Sequence, residues 1–314
     1  MMAMSACTNS PASTATPPPA AAPPPDASSP APPDDVSDAA VPLDVASPED
    51  ARDAAPPPEP EWVPPAVATR SRGCGIPRPA AVGATHTTPG GRTLHVWGPS
   101  GYDPGRAYPV VIVFHGWYAN GRAHQSWFEM EKYVDNEAMT VYPDAINGLW
   151  DLDGTTDLVF FDEMVSVLSD TYCINPSRVL GFGFSYGGKF ANHLGCKRAG
   201  YVKAISIGDG SWGGDGLRCG RLPVLVTHRT RDPDEFIQWG RDVANAWKVF
   251  NGCAANTTTE PTLNCTTNPT CRVPGGPVTF CEDTFFDPAW PAQWNHTVRE
   301  PYRSFTYRWF KALP

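Results

Sequence analysis

The sequence predicts an α/β fold: a doubly wound, mostly parallel sheet with helices on both faces. The run Tyr108-Pro-Val-Val-Ile-Val-Phe-His-Gly116, rich in β-branched residues, is typical of a central strand that is buried on both faces. Strand patterns then alternate with helical patterns along the chain, which favours parallel strands joined by helical crossovers. In such a sheet the loops at the carboxyl ends of the strands carry the chemistry.

The strands are predicted in this order. Arg92–Trp97 alternates polar and apolar residues, as an edge strand does, and the buried run from Tyr108 follows it. Further strands are predicted at 138–142, 178–184, 203–207, 222–228 and 277–281.

Helices fill the segments between these strands. A short helix is predicted within 125–136, and 157–172 carries an apolar stripe at three- and four-residue spacing. Further helices follow Ser185, occupy 234–250 and close the chain at 302–313. The segment 253–276, rich in Thr, Asn, Cys, Pro and Gly, is predicted as a disulfide-pinned loop rather than a second domain.

Residues 1–69 differ in kind from residues 70–314. The first segment holds 18 of the 36 prolines, ten acidic residues and one basic residue, so its net charge of 1 − 10 = −9 equals that of the whole chain. With few large apolar residues it cannot offset the entropy of ordering, and it is predicted as an extended, disordered linker. Residues 70–314 have the length of one catalytic domain.

The beginning of the chain resembles the end of a bacterial lipoprotein signal at Met4-Ser-Ala-Cys7. Only six residues precede Cys7, so either the natural start lies upstream or the resemblance is a coincidence. If it is real, the linker tethers a catalytic domain to a membrane. The expected location is therefore secreted, or on the surface of a bacterium as a lipoprotein.

Charge and hydropathy exclude several classes of partner. Residues 70–314 carry 23 basic and 23 acidic residues, and this balance argues against nucleic acid. No apolar run reaches the roughly 20 residues that a membrane span needs, so a membrane enters only through Cys7. The expected partner is an ester substrate, and the protein is expected to be a monomer.

Eight cysteines are dispersed through the domain without paired C-x-x-C spacing. This favours disulfides in an oxidising compartment over zinc, with free thiols in a cytosolic enzyme as the alternative. Eight cysteines allow 105 pairings. The predicted pairs are Cys173–Cys196, Cys265–Cys271, Cys253–Cys281 and Cys74–Cys219.

Gly183-Phe-Ser-Tyr-Gly187 is a G-x-S-x-G pattern between a predicted strand and a predicted helix. Glycines two residues either side of Ser185 let the strand and helix approach closely through a sharp turn. The turn presents the serine hydroxyl at the helix N-terminus, which favours developing negative charge. Ser185 is therefore the predicted nucleophile; an ordinary glycine-rich turn is the alternative.

A nucleophilic serine needs a base, and the base needs an orienting acid. In an α/β-hydrolase they follow in the order Ser, acid, His. His296 precedes the last helix and is the predicted base, whereas His193 lies on the same helix as Ser185 and His228 ends a strand. Asp232, after the 222–228 strand, is the predicted acid, with Asp209 and Asp234 as rivals.

The oxyanion hole is predicted from two backbone N–H groups, those of Tyr186 and Trp117. His115, before Trp117, is interpreted as a structural loop residue. Loop tryptophans are expected to line the substrate cleft, although such residues also serve as core anchors: Trp117, Trp212, Trp290 and Trp294.

A series of motifs follows in a fixed order between Cys74 and Leu313: Val111-Ile-Val-Phe-His-Gly116, Val141-Tyr-Pro143, Asp157 with its helix, Cys173-Ile-Asn-Pro-Ser-Arg-Val179, Gly183-Phe-Ser-Tyr-Gly-Gly188, Leu222-Pro-Val-Leu-Val-Thr-His228 with Asp232, and Asn295-His-Thr-Val298. This order resembles polyhydroxybutyrate depolymerases and feruloyl esterases. The resemblance implies a secreted serine esterase of α/β-hydrolase fold with Ser185, Asp232 and His296 as its triad and no cofactor. It also supports pairing Cys173 with Cys196.

The chain departs from this family pattern at three places. Arg229 stands where the family usually has glycine, Trp294-Asn295 where Gly-Gly commonly precedes the histidine, and no proline follows soon after it in Val298-Arg-Glu300. The expected function is a serine carboxylesterase, feruloyl esterase-like and acting on plant cell-wall esters through an acyl-enzyme. Polyester depolymerisation, peptide hydrolysis and a surface-tethered binding protein on an inactive scaffold stay open as alternatives.

Overall fold

One ten-stranded sheet forms the centre of the fold in the computed structural model, which describes residues 68–211, 219, 221–272 and 276–314. The order across the sheet is β1-β2-β4-β3-β5-β6-β7-β10-β9-β8, parallel from β4 to β10 and antiparallel at both edges. The strands are β1 (Val82–Thr87), β2 (Thr93–Trp97), β3 (Tyr108–Phe114), β4 (Met139–Pro143), β5 (Ile174–Phe184), β6 (Ala204–Gly208), β7 (Val224–Arg229), β8 (Thr258–Glu260), β9 (Cys265–Asn268) and β10 (Val278–Asp283).

Helices cover both faces of this sheet, and the alternation of side chains along β3 shows why. Val110 and Ile112 belong to one apolar cluster, while Val111 and Val113 belong to another on the opposite face. The first cluster includes residues of α2 (Thr156–Thr171), α3 (Tyr186–Arg198) and α4 (Ile237–Phe250). The second includes residues of α1 (Gly121–Phe128) and α5 (Glu300–Ala312). The predicted doubly wound α/β fold is confirmed.

Several predicted boundaries differ from the observed ones. Strand β1 was not predicted, and α1 begins at Gly121, where the Asn120 side chain accepts the Ala123 N–H and caps the helix. The predicted loop 253–276 contains the edge strands β8 and β9, whose threonines suit a pleated, half-exposed surface. In the described part of the chain, every helix is too short or too polar to cross a membrane.

All four predicted disulfide pairings are wrong, although all eight domain cysteines are paired. The bonds are Cys74–Cys173, Cys196–Cys219, Cys253–Cys271 and Cys265–Cys281. Backbone hydrogen bonds from Ser71 to Ile174 and from Gly73 to Ser169 bring Cys74 beside Cys173. The prediction placed Cys173–Cys196 across the strand and helix at Ser185 and Cys265–Cys271 in a small loop, whereas the partners are set by which strands and loops are neighbours.

The fourth bond illustrates this cause. Cys265 and Cys281 are register partners on the antiparallel strands β9 and β10, so Cys265 cannot also reach Cys271. Residues 1–67, with Cys7 and nearly all of the predicted linker, lie outside the described residues. The domain division at 69/70 and the monomeric state stay predictions.

Candidate active site

Ser185 lies at the junction between β5 and α3, in a backbone conformation that few non-glycine residues adopt. Its φ of 54° and ψ of −121° place it outside the regions that L-residues prefer. A Cβ at Gly183 would lie 1.9 Å from the Gly187 carbonyl oxygen, and a Cβ at Gly187 would lie 2.1 Å from that of Phe114. Only glycine fits at these two positions, so the sequence pattern and the strained turn have one steric cause.

Three side chains predicted from the sequence meet at this turn. The Ser185 hydroxyl donates to Nε2 of His296 across 2.7 Å, and the His296 Nδ1–H donates to Oδ2 of Asp232 across 2.6 Å. Ser185 and His296 are half-buried, whereas Asp232 is buried. A base in contact with the serine and an acid behind the base form the arrangement that activates a hydroxyl for attack.

Asp232 is held by its own loop as well as by His296. Its Oδ1 accepts the backbone N–H groups of Asp234 and Glu235, at 2.9 and 3.0 Å. The second oxygen is thereby directed at the imidazole. Asp234, one of its rivals, is exposed and contributes this backbone donor.

Asp209, the other rival, is buried at the end of β6 behind Asp232. Its Oδ1 accepts the Arg229 N–H at 2.8 Å, while its Oδ2 is buried without a hydrogen-bond partner among the described residues. Burial, with the nearby Asp232 charge as the second cause, raises the pKa of Asp209 well above its usual value. It therefore suits a protonated, structural role better than that of the orienting carboxylate.

Other histidines near the site are occupied by backbone partners. His193 makes a hydrogen bond with the Gly154 carbonyl oxygen at 2.9 Å, and His228 donates to that of Glu235 at 2.8 Å. Burial lowers the pKa of His228, which favours the neutral ring. Of the two downstream histidines, His296 is thus the one in contact with Ser185.

His115 fixes the loop that follows β3. Its Nδ1–H donates to the Gly116 carbonyl oxygen at 2.8 Å, and its Nε2 accepts the Ala145 N–H at 3.1 Å. Burial lowers the pKa of His115, consistent with a neutral ring that has one donor and one acceptor nitrogen. This is the structural role that the sequence suggested for it.

That loop brings Gly116 and Trp117 against Ser185. A Cβ at Gly116 would lie 3.5 Å from the Ser185 Cβ, so the backbone of this loop passes directly beside the nucleophile. Tyr186 is the first residue of α3, where backbone N–H groups have no partner within the helix. Both residues predicted to supply the oxyanion hole therefore line the same cleft as Ser185.

An open cleft of about 930 Å³ surrounds the serine. Trp117 and Tyr118 are 64% and 68% exposed at its edge and stack with their ring centroids 4.7 Å apart. The remaining lining is Gly116, Ala119, His124, Trp127, Leu149, Phe184, Tyr186, Lys189, Pro233, Asp234, Glu235 and His296. A largely aromatic wall of this kind suits a flat, apolar acyl group.

A second cleft of about 790 Å³ shares Leu149 and Tyr186 with the first. Its wall carries the three acidic residues Asp151, Asp153 and Asp157 beside Trp150. Ser185 lines the first cleft only, together with the charged residues Lys189, Asp234 and Glu235.

The predicted tryptophans do not share one location. Trp117 lines the cleft, whereas Trp290 and Trp294 lie on the loop before His296 and outside that lining, with ring centroids 6.2 Å apart. Trp212 lies outside the described residues. The sequence did not identify Trp127 as a cleft residue. Its ring centroid lies 5.4 Å from that of Phe184. A helix predicted to begin at Gly121, as α1 does, would have placed Trp127 at the cleft.

Among the described residues, two groups of side chains each offer three metal-type ligand atoms within 4.8 Å of one another. They are Asp209, His228 and Asp232, and Asp232, Asp234 and His296. Both include Asp232, and the second also includes His296, whose two ring nitrogens already bond to Ser185 and Asp232. A cation there would compete with those bonds, and the absence of a cofactor stays a prediction.

Comparison with curated proteins identifies fungal relatives. The chain is 31% identical over 202 residues to a probable feruloyl esterase C of Aspergillus clavatus, covering 60% of this chain and 72% of that protein. It is 28% identical over 200 residues to feruloyl esterase C of Emericella nidulans, with the same coverage. Feruloyl esterase D of Neurospora crassa is 29% identical over 208 residues, covering 60% of this chain and 70% of that protein.

These relatives overturn the expected location. All three come from fungi, so the predicted location on or outside a bacterium is wrong in its bacterial source. The motif at Cys7, on which that source rested, is short and consists of common small residues.

Solved structures agree on the fold. An acetyl xylan esterase from Aspergillus awamori superimposes with a TM-score of 0.54 at 14% identity, covering 73% of this chain and 98% of that chain. A thermostable esterase gives a TM-score of 0.53 at 17% identity, covering 74% of this chain and 63% of that chain. No family model matches the sequence.

Proposed function

The chain belongs to the family of feruloyl esterases, and we propose that it hydrolyses hydroxycinnamoyl esters of plant cell walls through an acyl-enzyme on Ser185. It is a carboxylic ester hydrolase. The continuous hydrogen-bond chain from Ser185 through His296 to Asp232 is the observation that carries the mechanism. An inactive scaffold used only for binding has no need of such a chain.

Acylation begins when His296 Nε2 takes the Ser185 proton as Oγ attacks the ester carbonyl carbon. The carbonyl oxygen gains the negative charge, and we assign the Trp117 and Tyr186 N–H groups to hold it. The Nε2–H then protonates the leaving alcohol as the carbon–oxygen bond breaks. This leaves the acyl group on Ser185 and a neutral imidazole.

Deacylation repeats these steps with water. His296 takes a proton from the water, whose oxygen attacks the acyl carbon, and then returns the proton to Ser185 as the acid leaves. Asp232 accepts the Nδ1–H throughout and stabilises the imidazolium that forms in each half-reaction. Each proton taken from serine or water is thus given to a leaving oxygen.

The two clefts that share Leu149 and Tyr186 suit the two halves of such an ester. We assign the planar acyl group to the aromatic cleft, where Trp117, Tyr118 and Trp127 offer ring faces and edges. The acidic cleft then takes the alcohol, where the exposed Asp153 can accept hydrogen bonds from sugar hydroxyl groups while Asp151 and Asp157 are held by bonds within the protein. The names of the relatives support this class of substrate.

The test is hydrolysis of methyl ferulate and 4-nitrophenyl acetate by the wild type and by Ser185→Ala. We expect the wild type to cleave both esters and the folded variant to lose about 10⁶-fold in kcat. Retention of most activity by Ser185→Ala would refute the mechanism. Clearing of polyhydroxybutyrate granules without release of ferulate would favour the polyester alternative and refute the substrate assignment.

A second variant tests the acyl compartment. Trp117→Ala removes the exposed side chain but keeps the backbone N–H, so we expect kcat/KM for methyl ferulate to fall about tenfold, with a smaller loss for the acetyl ester. Tyr201→Ala is the matched control, because Tyr201 is also exposed, at 56%, but lies outside the cleft. Equal losses with both esters would remove the aromatic wall from the acyl site.

A further inference from the structure

Arg229 is a buried arginine whose guanidinium is directed at the loop that carries His296. It ends β7, three residues before Asp232, and is 1% exposed. Nη1 donates to the Trp294 carbonyl oxygen at 3.2 Å, and Nη2 donates to the Phe285 carbonyl oxygen at 2.7 Å and to Oδ1 of Asn295 at 3.1 Å. Asn295 directly precedes His296.

These bonds hold a segment with little regular structure. Between Asp283, which ends β10, and Glu300, which begins α5, the only regular element is a 3-10 helix at Ala292–Asn295. No sheet ladder therefore fixes the backbone at His296. Charge-assisted hydrogen bonds from a planar guanidinium are stronger and more directional than neutral ones, so Arg229 supplies the missing constraint at both ends of the loop.

The carboxylate that pairs with the Arg229 guanidinium is mainly engaged elsewhere. Asp283 lies 3.9 Å from Nε of Arg229, but both of its oxygens accept hydrogen bonds from Arg299 at 2.6 Å. Nε itself has no hydrogen-bond partner among the described residues. Asp283 thus offsets the buried charge of Arg229, while the Nη atoms remain bonded to the loop.

Arg229 also belongs to the strand that presents the acid. Its N–H donates to Asp209, and it pairs in register with Asp283 across β7 and β10. One residue thereby connects the strand before Asp232 to the segment before His296. Residue 229 and residues 294–295 meet in this contact.

We propose that Arg229 is a positioning residue: it fixes the loop 284–296 so that His296 bridges Ser185 and Asp232. The kinetic test of this proposal rests on the proposed function, because it measures ester hydrolysis. The spectroscopic test does not, because it measures the hydrogen bond between His296 and Asp232. A displacement of His296 by about 1 Å is enough to cost about 100-fold in rate. The role is separable from a contribution to stability because Arg299 offers a matched comparison.

The test compares Arg229→Gln with Arg299→Gln at a temperature where near-UV circular dichroism shows both to be folded. Both substitutions remove a guanidinium beside Asp283, but Arg299 bonds to Asp283 and not to the Trp294–Asn295 segment. Both should lower Tm. Only Arg229→Gln should lower kcat per titrated site by about 100-fold with KM within about threefold, and Arg229→Lys should recover part of the loss.

A spectroscopic readout does not depend on turnover. The Nδ1 proton between His296 and Asp232 should give a far-downfield ¹H resonance in the wild type and in Arg299→Gln, and lose it in Arg229→Gln. Unchanged kcat and an unchanged resonance in folded Arg229→Gln would overturn the proposal, as would equal kinetic losses in both variants. A wild type that shows the resonance but cleaves no ester would instead refute the proposed function, and the resonance in the variants would still decide the role of Arg229.

Discussion

Ser185 and His296 are 2.7 Å apart, yet the chain holds the two residues by different means. Ser185 sits in a turn enforced by backbone contacts: the Gly183 and Gly187 positions leave no space for a Cβ, and the Ser185 N–H donates to the Gly208 carbonyl oxygen at the end of β6. His296 sits on a loop that is held against the rest of the site by side chains, chiefly those of Arg229 and Asp232.

The difference determines how each half can fail. A turn that is enforced by sterics is either formed or not, so damage there should appear as loss of the fold. A loop held by polar side chains can shift while the sheet stays intact. Damage there should therefore lower kcat although the protein remains fully folded. The site thus has a rigid half, which is the turn at Ser185, and an adjustable half, which is the loop that carries His296.

The largest expected effect tests whether the two halves act as one unit. His296→Ala should lower kcat by about 10⁶-fold, as much as Ser185→Ala, and the double variant should be no worse because the base and nucleophile act together. Steady-state hydrolysis of 4-nitrophenyl acetate measures this. Additive losses in the double variant would mean that the two residues do not share one step.

The rigid half can be broken by a single methyl group. Gly187→Ala places a Cβ 2.1 Å from the Phe114 carbonyl oxygen, and we expect it to cost about 3 kcal/mol or more in the free energy of unfolding. Gly101→Ala, outside the turn, is the control, because a Cβ there would meet no atom within 4 Å and its cost should stay within about 1 kcal/mol. Urea titration of both variants measures the two losses in the free energy of unfolding. Equal losses would argue against a turn that is enforced by steric contacts.

The adjustable half depends on β10, which is joined to β9 by the Cys265–Cys281 bond. Replacing both cysteines with serine opens a loop with a sequence separation of 16 and should cost about 3 kcal/mol of stability. At low temperature kcat should change by less than about threefold, because the Arg229 contacts remain. A rate loss without a loss of stability would show that this bond, rather than Arg229, positions the loop.

The smallest expected effect concerns Asp209, which lies behind the acid. Because burial raises its pKa in the folded protein, its contribution to stability is fully present below the pKa of the unfolded chain and is lost as pH rises through the folded pKa. Asp209→Asn has no carboxyl group to ionise and lacks this loss. The free energy of unfolding of the variant minus that of the wild type should therefore increase with pH, by at most about 1.4 kcal/mol per pH unit. Urea titrations from acidic to neutral pH measure the difference; a constant offset would show that Asp209 is ionised in the fold.

The same contrast explains what the sequence could predict. Strand β3 and the turn at Ser185 depend on local patterns, and Asp232 and His296 could be located because the chain order of an α/β-hydrolase puts the acid after a strand and the histidine further downstream. The role of Arg229 could not, because Trp294 and Asn295 are 65 and 66 positions away and no periodicity links them to it. The disulfides failed for the same physical reason, since pairing depends on which strands become neighbours.

The most direct test of the account is the first turnover of 4-nitrophenyl acetate, followed in the millisecond range with parallel mass analysis of the quenched protein. The account predicts a burst of about one equivalent of 4-nitrophenol per chain if deacylation limits turnover, with the acetyl group on the peptide that contains Ser185, and neither burst nor label in His296→Ala. An acetyl group on another residue, or an unchanged burst in His296→Ala, would contradict it.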